Sequence, residues 1–193
     1  MKVDRRTLDT LTEEAIKKGE IPGVEYLIKA SKDKGILTSL STTGYDEIGF
    51  VSNRIFNNNI RGFVASPIIW ATDDGREIHG PEIVVKEDGK EFTPVVEMNA
   101  LIRGCYIPVK SPEDKMKANV EMAKILSLNE KEVGVIGNDY LDHPSMKRFG
   151  LAIASPLADE ETTELVRDLD GIYIKDYVNA SVELLKNYHP RNV

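Results

Sequence analysis

An α/β fold built on a parallel sheet is what this sequence predicts, on three observations. Short β-branched runs alternate with amphipathic helical stretches toward both ends of the chain. The run from Val133 to Gly137 is short and apolar, and it stops abruptly at the polar, acidic turn Asn138-Asp139-Tyr140-Leu141-Asp142. That is how a buried parallel strand delivers carboxylates to the carboxyl edge of a sheet, where α/β proteins hold ligands. Between Pro67 and Val109 the rhythm changes to β-branched runs separated by Asp-Gly turns, which predicts a small antiparallel excursion.

Taken in order, the polar opening from Met1 to Gly19 places Leu8, Leu11, Ala15 and Ile16 on one face of a short helix. Pro22 stands where a helix starts and Gly35 where one stops, and between them Val24, Leu27, Ile28 and Ser31 share a face. A strand follows over Ile36 to Ser41, with Thr42, Thr43 and Gly44 as a small-residue turn at its end. A helix from Tyr45 to Phe56 turns Ile48, Val51 and Ile55 inward, Asn57, Asn58 and Asn59 end it, and Ile60 to Ala65 is the next strand. In the excursion the strands are Ile68 to Trp70, Ile83 to Val85 and Phe92 to Val96, with turns at Asp73-Asp74-Gly75 and Glu87-Asp88-Gly89. Ser111-Pro112-Glu113-Asp114 is a helix start, with a serine cap, a proline at the first position and acids in the first turn. Its helix turns Met116, Val120, Ala123 and Leu126 inward. After the strand to Gly137 come a short helix at Pro144 to Arg148, a strand at Leu151 to Ala154, a helix at Glu160 to Arg167, a strand at Ile172 to Ile174, and a last helix marked by Val178, Val182 and Leu185.

The chain's 193 residues suit one domain of ordinary size, residues 1–193, carrying a β-hairpin insertion at about 67–110. With 41% hydrophobic and 30% charged residues it reads as globular. A formal charge of -7 without a basic stripe argues against nucleic acid as a partner. Cys105 is alone, so neither an intrachain disulfide nor a cysteine zinc cluster can form, which suits a reducing cytoplasm. No apolar run approaches a membrane span and no signal peptide is evident, so a cytoplasmic protein without a membrane partner is expected. His79, His143 and His189 are too scattered for a metal cluster, and His143 reads as a surface turn residue. Cys105 reads as a buried structural thiol, and Trp70 and Tyr106 as packing residues.

Three features line up along the chain: Thr42-Thr43-Gly44 at a strand end, Lys115 in the first turn of a capped helix, and Gly137-Asn138-Asp139-Tyr140-Leu141-Asp142. Pro144, Met146 and Phe149-Gly150-Leu151-Ala152-Ile153-Ala154 follow them, and Pro22-Gly23-Val24-Glu25-Tyr26-Leu27 leads in. In this order they resemble the haloacid dehalogenase (HAD) superfamily, in particular its phosphoserine-phosphatase-like branch, over roughly residues 21–187. The resemblance implies a three-layer α/β/α parallel sheet with a small antiparallel insertion, and a Mg²⁺-dependent hydrolase of small phosphorylated molecules. It assigns phosphate binding to Thr42, Thr43, Gly44 and Lys115, catalytic roles to Thr42 and Lys115, and Mg²⁺ to Asn138, Asp139 and Asp142. Phosphoryl transfer needs such parts: a carboxylate nucleophile, a metal, and donors on the equatorial oxygens as charge spreads.

The sequence departs from that pattern at its first element. The family places its nucleophile in an Asp-x-Asp-Gly-Thr run on an apolar strand, whereas Val3-Asp4-Arg5-Arg6-Thr7-Leu8 keeps only the Thr-Leu. Asp168-Leu169-Asp170-Gly171 follows a helical stretch and Asp73-Asp74-Gly75 fits a hairpin turn, so neither supplies the nucleophile. Asn138 stands where the family has an aspartate, which would weaken Mg²⁺. Three explanations of the missing strand stay open: a truncated chain, a degenerate strand within residues 1–8, or replacement by Leu101 to Val109. Two functions therefore stand side by side, a phosphatase-like hydrolase impaired by the missing nucleophile and a catalytically silent binding or complex subunit.

Overall fold

The structure, a computed structural model, describes residues 3–19, 22–72, 74–87 and 90–179. Asp73, Asp88, Gly89, His189 and the last helix at Val182 and Leu185 lie outside the described residues. Two compact units make up the chain: residues 1–20 with 39–110, and residues 21–38 with 111–193.

The second unit is an α/β/α sandwich. Its parallel sheet runs in the order β7 (Gly134–Gly137), β8 (Leu151–Ala154) and β9 (Ile172–Tyr173), in register Val135 to Ala152 and Ile153 to Ile172. Strand alternation sends β8 side chains to both faces. Leu151 and Ile153 pack with Leu27 of α2 (Val24–Asp33), together with Ile174 and Tyr177. Ala152 and Ala154 pack on the other side with Met146 of α5 (His143–Arg148) and Val166 of α6 (Glu160–Asp168). The small alanines let those two helices lie close. Helix α4 (Pro112–Ile125) packs against α5, and Ser111 caps it by accepting from the Asp114 N–H at 3.2 Å.

The first unit holds the sheets β1 (Thr38–Tyr45), β2 (Ile60–Ser66), β5 (Ile83–Val85) and, separately, β4 (Glu77–Ile78), β3 (Ile68–Ala71), β6 (Leu101–Cys105). The pairings of β2 with β5 and of β3 with β4 and β6 are antiparallel. Helix α3 (Glu47–Ile55) closes on β2 at Gly49, where a Cβ would stand 2.4 Å from the Phe63 ring. Phe50, Phe63 and Phe92 form an edge-to-face trio, with centroids 4.9–6.3 Å apart.

Several sequence expectations are corrected here. Thr42, Thr43 and Gly44 lie inside β1 rather than in a turn after it, because the two β-branched threonines favour extended backbone and the chain turns only at Asp46. Phe92 to Val96 forms no strand; Pro94 interrupts it, and β6 takes the place beside β3. Cys105 and Tyr106 are exposed, Tyr106 lying beside the His79 ring, whereas Trp70 is in the core as expected. Among the described residues 3–8 there is no strand, only a bridge: Asp4 pairs Leu101 antiparallel and then caps α1 (Arg5–Gly19) by accepting from the Thr7 N–H at 2.8 Å.

Helix α1 keeps part of its predicted face, with Leu8 and Ile16 half-buried, and loses the rest, with Leu11 and Ala15 exposed. Its buried residues are Arg5, Asp9 and Thr12, while Leu11 is 54% exposed. Polar partners on α3 explain why charged residues share that face. The Arg5 guanidinium donates to both Glu47 oxygens at 3.0 and 3.1 Å, Arg54 donates to both Asp9 oxygens at 2.9 and 3.0 Å, and Arg54 also reaches Glu13 at 2.8 Å. Burial pushes the Glu47 carboxyl up to about 7, outweighing Arg5, and pushes Asp46 up to about 6 against the hydrogen bond it accepts from the Ile68 N–H. Both groups hold a proton more tightly folded than unfolded. The stability they contribute is present below their ordinary values of 4.5 and 3.8 and is lost as pH rises through about 7 and 6. Relative to Glu47→Gln, the wild type should therefore lose stability between pH 4.5 and 7.5 in urea-unfolding series; a constant difference across that range would contradict the assignment.

Candidate functional site

β7 ends at Gly137, and the chain then doubles back through a 3₁₀ turn at Tyr140–Asp142 into α5. Glycine is required at that corner for closeness, not for dihedral freedom. A Cβ on Gly137 would stand 2.5 Å from the Asp142 Cβ and 2.7 Å from the Met146 Cε. The close return seats Asp142 at the carboxyl end of the sheet. Asp139 sets the turn, its Oδ1 accepting from the Leu141 N–H at 2.9 Å.

Asp142 is buried, and so is Lys115 from the first turn of α4. Lys115 Nζ donates to Asp142 Oδ1 at 2.6 Å, and the Asn138 backbone N–H donates to Asp142 Oδ2 at 3.2 Å. Both oxygens of this carboxylate are thus engaged. Sequence periodicity had turned Met116 and Val120 inward, but the buried face of α4 is Lys115, Ala118, Met122 and Ala123. The ion pair sets that register.

A polar ladder extends from the pair. Asn119, one turn beyond Lys115, donates to Ser145 Oγ at 3.1 Å, and Ser145 is fully buried. His143 Nε2 lies 2.8 Å from Thr162 Oγ1, tying α5 to α6. His143 is buried, not a surface turn residue as the sequence suggested. None of Asn119, Ser145, His143 or Thr162 was singled out as a partner beforehand. The available signal was the match of spacings, Lys115 with Asn119 at i, i+4 facing Asp142 with Ser145 at i, i+3.

The other expected residues are placed as follows. Asn138 is exposed, and its Nδ2 lies 3.4 Å from Asp139 Oδ2. Thr42, Thr43 and Gly44 belong to β1 in the first unit, where Thr42 Oγ1 accepts from the Gly44 N–H at 3.0 Å. Lys115 and Asp142 are therefore brought together within one unit, and the threonines belong to the other. As arranged, Asn138, Asp139 and Asp142 do not fit Mg²⁺. The one buried carboxylate has an ammonium at 2.6 Å, and Asp139 is committed to its turn. Among the described residues no group of three or more His, Cys, Asp or Glu side chains could hold a metal ion.

No protein-family model and no curated protein matches the sequence. Solved structures do. The chain aligns with apo phosphoserine phosphatase over 96% of its own length and 81% of that chain, with a TM-score of 0.59 and 17% identity. This chain has the fold of the HAD phosphatases. A substrate-bound phosphoserine phosphatase complex aligns over 94% of this chain and 78% of the other, with a TM-score of 0.58 and 17% identity. A HAD family hydrolase from Salmonella enterica subsp. enterica serovar Typhi aligns at a TM-score of 0.60 and 15% identity, over 86% of this chain and 47% of that one. No helix among the described residues is long and apolar enough to cross a membrane.

Gly137→Ala is expected to lower stability by about 1–3 kcal/mol, the cost of overpacking a filled corner. Urea unfolding checks it, and a neutral substitution would mean that the corner is looser than described.

Proposed function

We propose that this chain is a phosphatase-like protein of the HAD fold that binds the phosphoryl group of a small molecule and is impaired in hydrolysing it. The observation that carries the reading is the buried Lys115 ammonium, aimed by Asp142 at the carboxyl end of a parallel sheet. Open α/β sheets bind ligands at that edge, and an ammonium there supplies a fixed charge for a phosphoryl group. Asp142 acts as a positioning residue: its carboxylate, itself held by the Asn138 N–H, fixes where the lysine points. The same resemblance gives Thr42, Thr43 and Gly44 a phosphate-binding role, and Thr42→Val tests that role separately.

Impairment is supported by where the candidate nucleophiles sit. Asp4 is spent as the cap of α1. Asp74 bonds Thr72 and Arg76 within a hairpin turn. Asp170 sits in the turn after α6 with φ 51°. A carboxylate that attacks phosphorus in line needs a free oxygen at the phosphoryl site, and none of these has that setting. The second reading, a silent binding or complex subunit, is favoured by the engagement of both Asp142 oxygens, which leaves the carboxylate satisfied without a cation.

Phosphomonoester hydrolysis, measured with and without Mg²⁺ in wild type, Lys115→Ala and Asp142→Ala, distinguishes the readings. The expected outcome is weak turnover in wild type, with phosphate binding reduced at least about tenfold in Lys115→Ala, roughly the loss of one charge-assisted contact. Turnover that survives both substitutions would remove these residues from the site, and phosphate binding without any turnover would select the silent reading.

A further inference from the structure

Helix α1 is attached to the first unit by charge more than by apolar burial. Glu47, Phe50 and Arg54 recur at i, i+3 and i+7 along α3 and so share one face, to which α1 is fastened through Arg5 and Asp9. The buried residues of α1 are Arg5, Asp9 and Thr12, and none of its hydrophobic side chains is fully buried. Only its start is tethered through the backbone, the Arg5 and Arg6 N–H groups donating to the Ala100 and Met98 carbonyls, both at 2.9 Å.

At this interface the guanidinium groups of Arg5 and Arg54 face four carboxyls, Asp9 and Glu13 from α1 and Asp46 and Glu47 at the start of α3. Arg5 holds Glu47 and Arg54 holds Asp9, and the Glu47 and Asp9 carboxyls meet each other between them. The other close neighbours are uncharged. Tyr45 Oη lies 3.3 Å from Thr12 Oγ1, and Arg5 Nη1 donates to the Val96 carbonyl and to Met98 Sδ, both at 3.3 Å. Asp46 is held from the other side by the Ile68 N–H, with the Cys105 thiol near it. From the sheet, Arg61 shares the face of β2 that carries Phe63, and Lys86, just past β5, bonds Asn53 and the Asn58 carbonyl at the far end of α3.

Two carboxylates buried in contact repel, so such a pair retains a proton. Here the protonated Glu47 carboxyl donates to an Asp9 oxygen, and the two guanidinium groups balance the charge that remains. We propose that α1 is a proton-dependent latch: the proton that Glu47 donates to Asp9 fastens the helix to α3, and its loss to solvent releases the helix while the rest of the first unit stays folded. An interface with so little apolar burial opens locally, before the core of the unit does. With α1 seated, Glu47 keeps its proton up to about 7, and with α1 released it returns toward its ordinary 4.5. Between those values opening frees one proton, so it becomes about tenfold easier per pH unit, and it levels off above the upper value.

The test is amide hydrogen exchange followed residue by residue in ¹H–¹⁵N spectra from about pH 5 to 8, corrected for the intrinsic rate at each pH. Protection of the α1 amides should fall about tenfold per pH unit and then level off, while β2 amides stay at least about tenfold better protected throughout. Glu47→Gln should flatten the α1 profile, and Asp9→Asn should make it shallower. Equal exchange in α1 and β2, or an α1 slope unchanged in either variant, would overturn the latch.

Discussion

A lysine and an aspartate buried against each other at 2.6 Å constrain both the register of α4 and the turn after β7 in the second unit. To meet Asp142, Lys115 has to lie on the inward face of α4, so the helix takes a register in which Ala118 and Met122 are buried and Met116 is not. To meet Lys115, Asp142 has to return sharply over the end of β7, which only a glycine at 137 permits. Asn119 with Ser145 and His143 with Thr162 then fasten α5 between its neighbours. Each charge is tolerable in the interior because the other is there, since an unpaired one would be strongly penalised.

The first unit solves its packing problem in the same way on a larger scale. Helix α1 is attached to α3 by guanidinium–carboxylate pairs, with Arg5 further held by the Val96 carbonyl and stacked 5.7 Å from the Phe50 centroid. An interface of this kind is directional, and it fixes the angle of approach through bidentate geometry. It also places carboxylates where burial opposes their ionisation, which is why Asp46 and Glu47 hold protons so tightly. Arg61 departs from the pattern: among the described residues its buried Nε and Nη1 meet no acceptor.

How much of this could be read from the sequence follows from which force set each element. Where hydrophobic burial decides, the letters sufficed: β8, β9, α2 and α6 lie within a few residues of their expected positions, and the α/β/α layering of the second unit follows from Leu27, Ile153 and Ala152. β7 lies where expected but is not the buried strand its apolar run suggested, since Gly134 and Ile136 are exposed. The Ser111-Pro112 helix start was legible because capping is local. Where ion pairs decide, periodicity misled. Leu8, Leu11, Ala15 and Ile16 looked like the inward face of α1; Leu8 and Ile16 are half-buried there, but Leu11 and Ala15 are exposed and Arg5 and Asp9 are buried, because their partners lie some forty residues away in α3. Lys115 and Asp142 were chosen from a motif order, and the structure brings those two into contact. The threonines were expected in a turn and are in a strand, since β-branching favoured extension over the turn that glycine suggested.

The register of α4 and the aim of the ammonium both depend on that one pair being a coupled unit rather than two independent side chains. A double-mutant cycle on folding stability with Lys115→Met and Asp142→Leu measures the coupling directly. A coupling of about 2–3 kcal/mol, with the double variant more stable than either single one, is the result this account predicts. Additivity within about 0.5 kcal/mol, the behaviour of sites that do not touch, would contradict it.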